Sequence, residues 1–291
     1  MLLGLLGAAV ACYHGRATTM VFTHMLESAV QTPPACPVAR HVVLQLPRAV
    51  ERRKLFEENR AALREIGVDL EVMQAVDGLQ HAAVLQTFRD LGIRYVKQHP
   101  KQLRSFGALA CSLGHLRRLL WQVRMGVPLM LAMEDDVRVV NASRFAMLVC
   151  YGGKFMQTQP MFNLVRFGYN SELYLIGLEA AKQILRSYCV RGIHDNIDDA
   201  LERYEPGRNS ERQRQLQRPT EGRAGAPLQA AYLPVNTLRV WNVSGSMGHG
   251  NGYIKGTGHF LNSSAIREES ERWSNGRGTS RAWCTDGTLA P

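Results

Sequence analysis

Residues 129–137 read Leu-Met-Leu-Ala-Met-Glu-Asp-Asp-Val, five apolar side chains followed at once by three carboxylates. A continuous apolar run of this length, opened by the Gly126-Val127-Pro128 break, is the pattern of a strand buried on both faces of a parallel sheet. The carboxyl ends of such strands face ligand clefts. Glu134, Asp135 and Asp136 at that end would raise one another's pKa unless a cation or a ring of donors keeps them ionised. Hard carboxylate oxygens suit Mn2+ or Mg2+, which complete their shells with water and phosphate oxygens. The competing reading is a solvated acidic turn whose Asp caps the next helix with nothing bound. That reading needs solvation which a buried strand end does not supply.

At 291 residues and 45% hydrophobic content, the chain can form one large domain or two modest ones around a sizeable core. Its formal net charge of +10 points to anionic partners, among them nucleotide phosphates, acidic glycans and a membrane surface. No segment interleaves aromatic and basic residues in the pattern of a nucleic-acid module, so nucleic acid is not expected. The six cysteines include no CxxC pair, which argues against a zinc ribbon and against a dithiol redox motif. Cys111, Cys150 and Cys189 fall in expected regular elements, whereas Cys12, Cys36 and Cys284 lie near the ends and could pair in an oxidising compartment. The apolar residues 1–12 are too short to span a bilayer and end in the small-x-small run Ala9-Val10-Ala11, like a clipped signal peptide, although no basic residue precedes the run. Sequons at Asn141, Asn242 and Asn262 lean the same way, toward the lumen of the ER or Golgi; a cytoplasmic enzyme at a membrane surface is the alternative.

Along the chain, apolar periodicity alternates between strand and helix. Strands are expected over 41–46, 68–76, 162–167, 173–176 and 231–241, and helices over 51–66 (closed by Gly67), 105–124 (capped by Ser105) and 178–188. Such a β-α-β opening is the start of an α/β sheet. In the 105–124 helix, Leu109, Leu113, Leu116, Leu120 and Val123 share one face, and Cys111, His115, Arg118 and Gln122 the other. His115 is therefore either a plain surface residue or one that faces a site. Residues 205–227, rich in Arg, Gln, Gly and Pro, are expected to form an exposed loop. The glycine-dominated run 244–258 lacks the order of a Walker loop; a flexible loop is its simplest reading, and a lid over a diphosphate using Lys255 or His259 the lesser one.

Four motifs in fixed order resemble glycosyltransferase family 25, the lipopolysaccharide and collagen galactosyltransferase group. Val42-Val43-Leu44-Gln45-Leu46-Pro47-Arg48 leading to Glu51-Arg52-Arg53 resembles the family's strand ending in Asn-Leu-Asp-Arg before Glu-Arg-Arg. Gln74-Ala75-Val76-Asp77-Gly78 matches its Ala-Val-Asp-Gly turn, and Gly107-Ala108-Leu109-Ala110-Cys111-Ser112-Leu113-Gly114-His115 its Gly-x-x-Gly-Cys-x-x-Ser-His helix start. The fourth is Glu134-Asp135-Asp136-Val137, with a weaker fifth at Ile197-Asp198-Asp199-Ala200-Leu201. The likeness covers roughly residues 41–204. Gln45, Pro47, Ala110 and Gly114 depart from the family pattern, while the carboxylates are intact.

The resemblance implies a GT-A-like α/β fold, a mixed and mostly parallel sheet flanked by helices in a single catalytic domain. It also implies Mn2+ (or Mg2+), a UDP-sugar donor with galactose the favoured sugar, an inverting transfer, and a glycan, glycolipid or protein hydroxyl as acceptor. Asp136 is the expected principal metal ligand, with Glu134 as a second, and Glu134 and Asp135 binding metal, water or ribose. Arg48, Arg52 and Arg53 would hold the donor's charge, and Asp77 would accept from base or ribose, an ordinary Asp-Gly turn being the alternative. Asp198, with Asp199 as substitute, is the candidate base for the acceptor hydroxyl, a helix cap being the alternative; His115 joins them as a site residue. The expected organisation is a signal peptide and stem over 1–37, a nucleotide-sugar-binding domain over 38–204, a loop over 205–227, and a C-terminal part of the catalytic domain over 228–291. Rival readings are a metal-dependent phosphohydrolase and a catalytically silent binding protein of the same fold.

Overall fold

In a strand, successive side chains point to opposite faces, and Val42, Met130, Ala132, Leu164, Tyr174 and Ile176 go to one apolar cluster while Val43, Leu131, Met133, Val165, Leu173 and Leu175 go to a second. Both faces of the sheet are therefore covered, which is why these strands read as unbroken apolar runs. The computed structural model describes residues 36–93, 106–159, 162–167, 171–193 and 196–202, with short strands at 229–232, 241–243, 284–285 and 288–289.

The elements follow the order β1 (Arg40–Gln45), α1 (Val50–Arg64), β2 (Glu71–Gln74), α2 (His81–Leu91), α3 (Phe106–Arg124), β3 (Leu129–Glu134), β4 (Val137–Val139), α4 (Ala142–Thr158), β5 (Phe162–Arg166), β6 (Leu173–Gly177), α5 (Leu178–Arg191), α6 (Ile197–Glu202), and then β7 (Gln229–Tyr232), β8 (Trp241–Val243), β9 (Cys284–Thr285) and β10 (Thr288–Leu289). The main sheet has the order β2-β1-β3-β6-β5-β7. Pairings β1–β2, β1–β3 and β5–β7 are parallel, while β3–β6 and β5–β6 are antiparallel. The chain is thus α/β with a mixed, mostly parallel sheet. Helices α2, α3, α5 and α6 pack on one face, α1 and α4 on the other. A fully buried Leu, Val or Phe contributes about 1.5–3 kcal/mol of burial free energy, and Leu113, Leu116, Leu131, Phe56 and Phe145 are each at most 1% exposed.

Several expectations need correction. The β3 strand is parallel only to β1; its other neighbour, β6, runs antiparallel, because burial on both faces constrains side chains and not the direction of the adjacent strand. The expected strand over 68–76 shrinks to β2, an edge strand with exposed Val72. The expected 231–241 strand is represented by β7 at the sheet edge and β8, which pairs with β4 away from the main sheet, the residues between lying outside the described set. Helix α4 is the regular element expected around Cys150, for which the sequence suggested no bounds; Asn141, not an Asp of the acidic turn, caps it by accepting from the Arg144 N–H. The cysteines pair one from near an end with one from an element, Cys36 with Cys150 and Cys189 with Cys284, leaving Cys111 free. Cys12, Ser105, the 205–227 segment and the glycine-rich run with Lys255 and His259 lie outside the described residues.

Two turns fix the approach of α1 and α3 to the sheet. Gly67, at φ +81°, lets the Val68 N–H reach back to the Leu63 carbonyl and close α1. Gly78 follows β2, and a Cβ there would lie 2.6 Å from the Cα of Gly107, so the turn rests directly on the first turn of α3.

Candidate active site

The β3 strand delivers Glu134 at its last position, and Asp135 and Asp136 form the two-residue turn into β4. Both aspartates are buried, at 3% and 4% exposure, so this is not a solvated turn. What holds the anions there comes from β1 and α1. The Leu46 N–H, just past β1, donates to Asp135 Oδ2 at 2.7 Å, and Arg52 reaches Asp135 Oδ1 at 3.2 Å and Asp136 Oδ2 at 3.3 Å. Seven residues along α1 from Arg52, Asn59 donates to the Val137 carbonyl and accepts from the Val139 N–H, fastening β4 behind the turn.

The three carboxylates are not equivalent. Both oxygens of Asp135 are engaged by protein donors. One oxygen of Glu134, Oε1, accepts from His115 Nε2 at 3.0 Å and from the Ser171 hydroxyl at 2.9 Å. Asp136 keeps Oδ1 buried with no hydrogen-bond partner among the described residues. Burial, and then the Glu134 charge, push the Asp136 carboxyl up to about 7, against the pull of Arg52. Burial likewise raises Glu134, with the Asp198 charge adding to it, and raises Asp135, where the Leu46 N–H and Arg52 oppose it. A buried carboxylate with one unsatisfied oxygen is expensive unless a proton or a cation meets it. Hard oxygen donors of this kind fit Mn2+ or Mg2+, which Asp136 would hold, with Glu134 beside it.

His115 is wholly buried, and so is not a surface residue, yet its partners are polar: Glu134 on one ring nitrogen, Arg118 and Tyr174 on the other. Arg118 and Gln122, on the same side of α3, are buried too, so the helix buries its polar face as well as its leucines. Arg118 donates to the carbonyls of Met133 and Val42, and Gln122 to those of Ile176 and Val127. The ligand atoms of Cys111, His115 and Glu134 lie within 4.8 Å of one another, close enough to hold an ion. An ion on His115 Nε2 would need that nitrogen's lone pair and hence a proton on Nδ1, where the Arg118 guanidinium already donates at 2.9 Å.

The remaining expected residues divide. Asp198 enters the site through Ser171, whose N–H donates to its Oδ1 at 2.6 Å while the hydroxyl of the same serine reaches Glu134. Arg48 and Asp77 pair at 3.0 Å, and Asp77 also accepts from the Leu79 N–H, the geometry of an Asp-Gly turn. Arg53 turns outward, exposed, onto the Pro47 carbonyl and is not brought to the carboxylates. Asp199 lies in α6, its side chain outside the described residues. The sequence reading did not single out Arg118, Tyr174, Ser171 or the Leu46 N–H. For Arg118 a signal existed, its position one turn after His115 on the same helix face; for Tyr174, inside an apolar strand, there was none.

No protein-family model matches the chain. A glycosyltransferase 25 family member of Drosophila melanogaster is 27% identical over 172 residues, spanning 50% of this chain and 27% of that protein. The chain therefore spans about a quarter of the length of that curated relative. Among solved structures, a glycosyltransferase involved in the glycosylation of the major capsid of PBCV-1 is similar over 50% of this chain and 65% of its own, at 12% identity and a TM-score of 0.30.

Proposed function

We propose that this chain is a metal-dependent glycosyltransferase that moves a hexose, with galactose the favoured sugar, from a UDP-sugar to a hydroxyl of a glycan, glycolipid or protein, with inversion. The observation that carries the reading is the buried strand-end turn in which Asp135 is held by Leu46 and Arg52 while Asp136 retains an unsatisfied buried oxygen. Partial similarity to a glycosyltransferase 25 family member supports the same class.

In this reading Asp136 is the principal ligand of Mn2+ or Mg2+, with Glu134 beside it. When bound, the cation neutralises the charge that develops on the leaving diphosphate. Arg52, spanning Asp135 and Asp136, keeps the turn rigid and adds positive charge on the donor side. Asp198, oriented by the Ser171 N–H, is the base that takes the proton of the acceptor hydroxyl. The two disulfides favour an oxidising compartment, the ER or Golgi lumen. Among the described residues, no helix is long and apolar enough to cross a membrane.

A panel of nucleotide sugars assayed with Mn2+, and again with chelator, tests this directly. The transferase predicts nucleotide release that depends on the cation and rises with a sugar or peptide acceptor. Steady phosphate release without acceptor would replace it with a phosphohydrolase. Absence of any nucleotide-dependent thermal stabilisation, with or without Mn2+, would leave only a silent binding protein.

A further inference from the structure

Arg118 is fully buried and, among the described residues, makes no direct ion pair with a carboxylate. Its guanidinium instead binds two strand carbonyls, the Tyr174 hydroxyl at 3.1 Å and His115 Nδ1 at 2.9 Å. A buried arginine is costly unless its charge is compensated, and the nearest compensation is Glu134, reached through the imidazole of His115.

We propose that Arg118 is a positioning residue that fixes the tautomer of His115: by donating to Nδ1 it obliges the ring proton to sit on Nε2, where it is donated to Glu134 Oε1, so that the Glu134 carboxylate is oriented beside Asp136. Arginine has only donors, so the nitrogen it faces must be the acceptor of the neutral ring. Tyr174, whose hydroxyl accepts from Arg118, is placed to donate its own proton to the same Nδ1 at 3.1 Å. With Ser171 also on Glu134 Oε1, that oxygen is saturated by protein donors. The chain Arg118–His115–Glu134 thus orients a carboxylate at second remove, as partners behind metal ligands do.

The role in turnover rests on the glycosyltransferase reading; the tautomer does not. Long-range 1H–15N NMR of the full chain labelled at histidine reads it without substrate, with His115→Gln assigning the signal. The expected result is an Nε2–H ring in the unsubstituted protein and in Tyr174→Phe, and loss of that tautomer in Arg118→Met. An Nδ1–H ring in the unsubstituted protein, or an unchanged tautomer in a folded Arg118→Met, overturns the proposal. Should Arg118→Met not fold, Arg118→Gln serves: its amide can donate or accept, so a mixture of tautomers is expected, and an unmixed Nε2–H ring contradicts the role. In turnover, Arg118→Met should lower Mn2+-dependent nucleotide release about 10- to 100-fold. His115→Gln, whose amide both accepts and donates, should recover release relative to His115→Leu; equal loss in the two would contradict a purely hydrogen-bonding ring. Failure to find any nucleotide release alongside an Nε2–H ring would remove the enzymatic reading and keep this one.

Discussion

At the scale of single residues, three adjacent acids do different work. Asp135 is structural, satisfied by Leu46 and Arg52; Glu134 is held by His115 and Ser171; Asp136 is left with an open oxygen. Because the folded protein raises the Asp136 carboxyl from 3.8 to about 7, the folded state holds a proton there that the unfolded chain has already released. The sign is therefore that cation-free stability falls as pH rises from about 4 toward 7, where the unfolded state binds fewer protons. Urea unfolding between those pH values should show the decline, and Mn2+ added at neutral pH should reverse it. Stability that rises with pH across that window would contradict the burial-driven shift. The sequence exposed the carboxylates and His115 because spacing along one strand and one helix can be read directly. It did not expose the partners Ser171 and Tyr174, which come from segments far from β3 and α3 in the chain and meet them only through the sheet order.

At the scale of elements, periodicity located α1, α3, α5 and the core strands to within a few residues, because each carries an apolar stripe or an unbroken apolar run. Burial depth was not legible: α3 is enclosed by the sheet on one side and by α2 and α5 on the other, so its polar face is interior too. Helix α4 was obscured by Gly152 and Gly153, which interrupt its apolar pattern; a Cβ on Gly152 would lie 2.8 Å from Leu175 and one on Gly153 2.8 Å from Pro37. These glycines are there for close packing. Gly78→Ala should lower stability by about 1–3 kcal/mol through overpacking on Gly107 and should shift α3; unchanged urea denaturation would disprove the close approach. Asn141→Ala should remove the α4 cap at a cost of about 1 kcal/mol, whereas Asn141→Asp should be nearly neutral, as measured by the same denaturation.

At the scale of the whole molecule, two long-range disulfides join chain ends to the fold: Cys36 to Cys150 across 114 residues and Cys189 to Cys284 across 95. Closing loops of this length restricts the unfolded chain, an effect of about 4–5 kcal/mol each in the loop-entropy view. Reduction with dithiothreitol should therefore lower the thermal midpoint by several degrees, and Cys189→Ser should do so without reductant; a midpoint indifferent to reductant would show that the bonds do not form in solution. The sequence showed which cysteines exist but not how they pair, because Cys150 and Cys189 lie in helices whose distance from the ends depends on the fold. The basic net charge fits an anionic nucleotide partner at this scale, while an acceptor for the proposed transfer would be chosen by surface loops, whose residues carry no readable rule.

In the proposed function, the turn after β3 grips a dication through Asp136 and, through it, a nucleotide diphosphate. Calorimetric titration of Mn2+ into the protein with UDP present tests it, run beside Asp136→Asn. A saturable Mn2+ site in the unsubstituted chain, lost in a variant of undiminished thermal stability, is the expected result; equal Mn2+ binding by both proteins, or none by either, would contradict a cation held by Asp136.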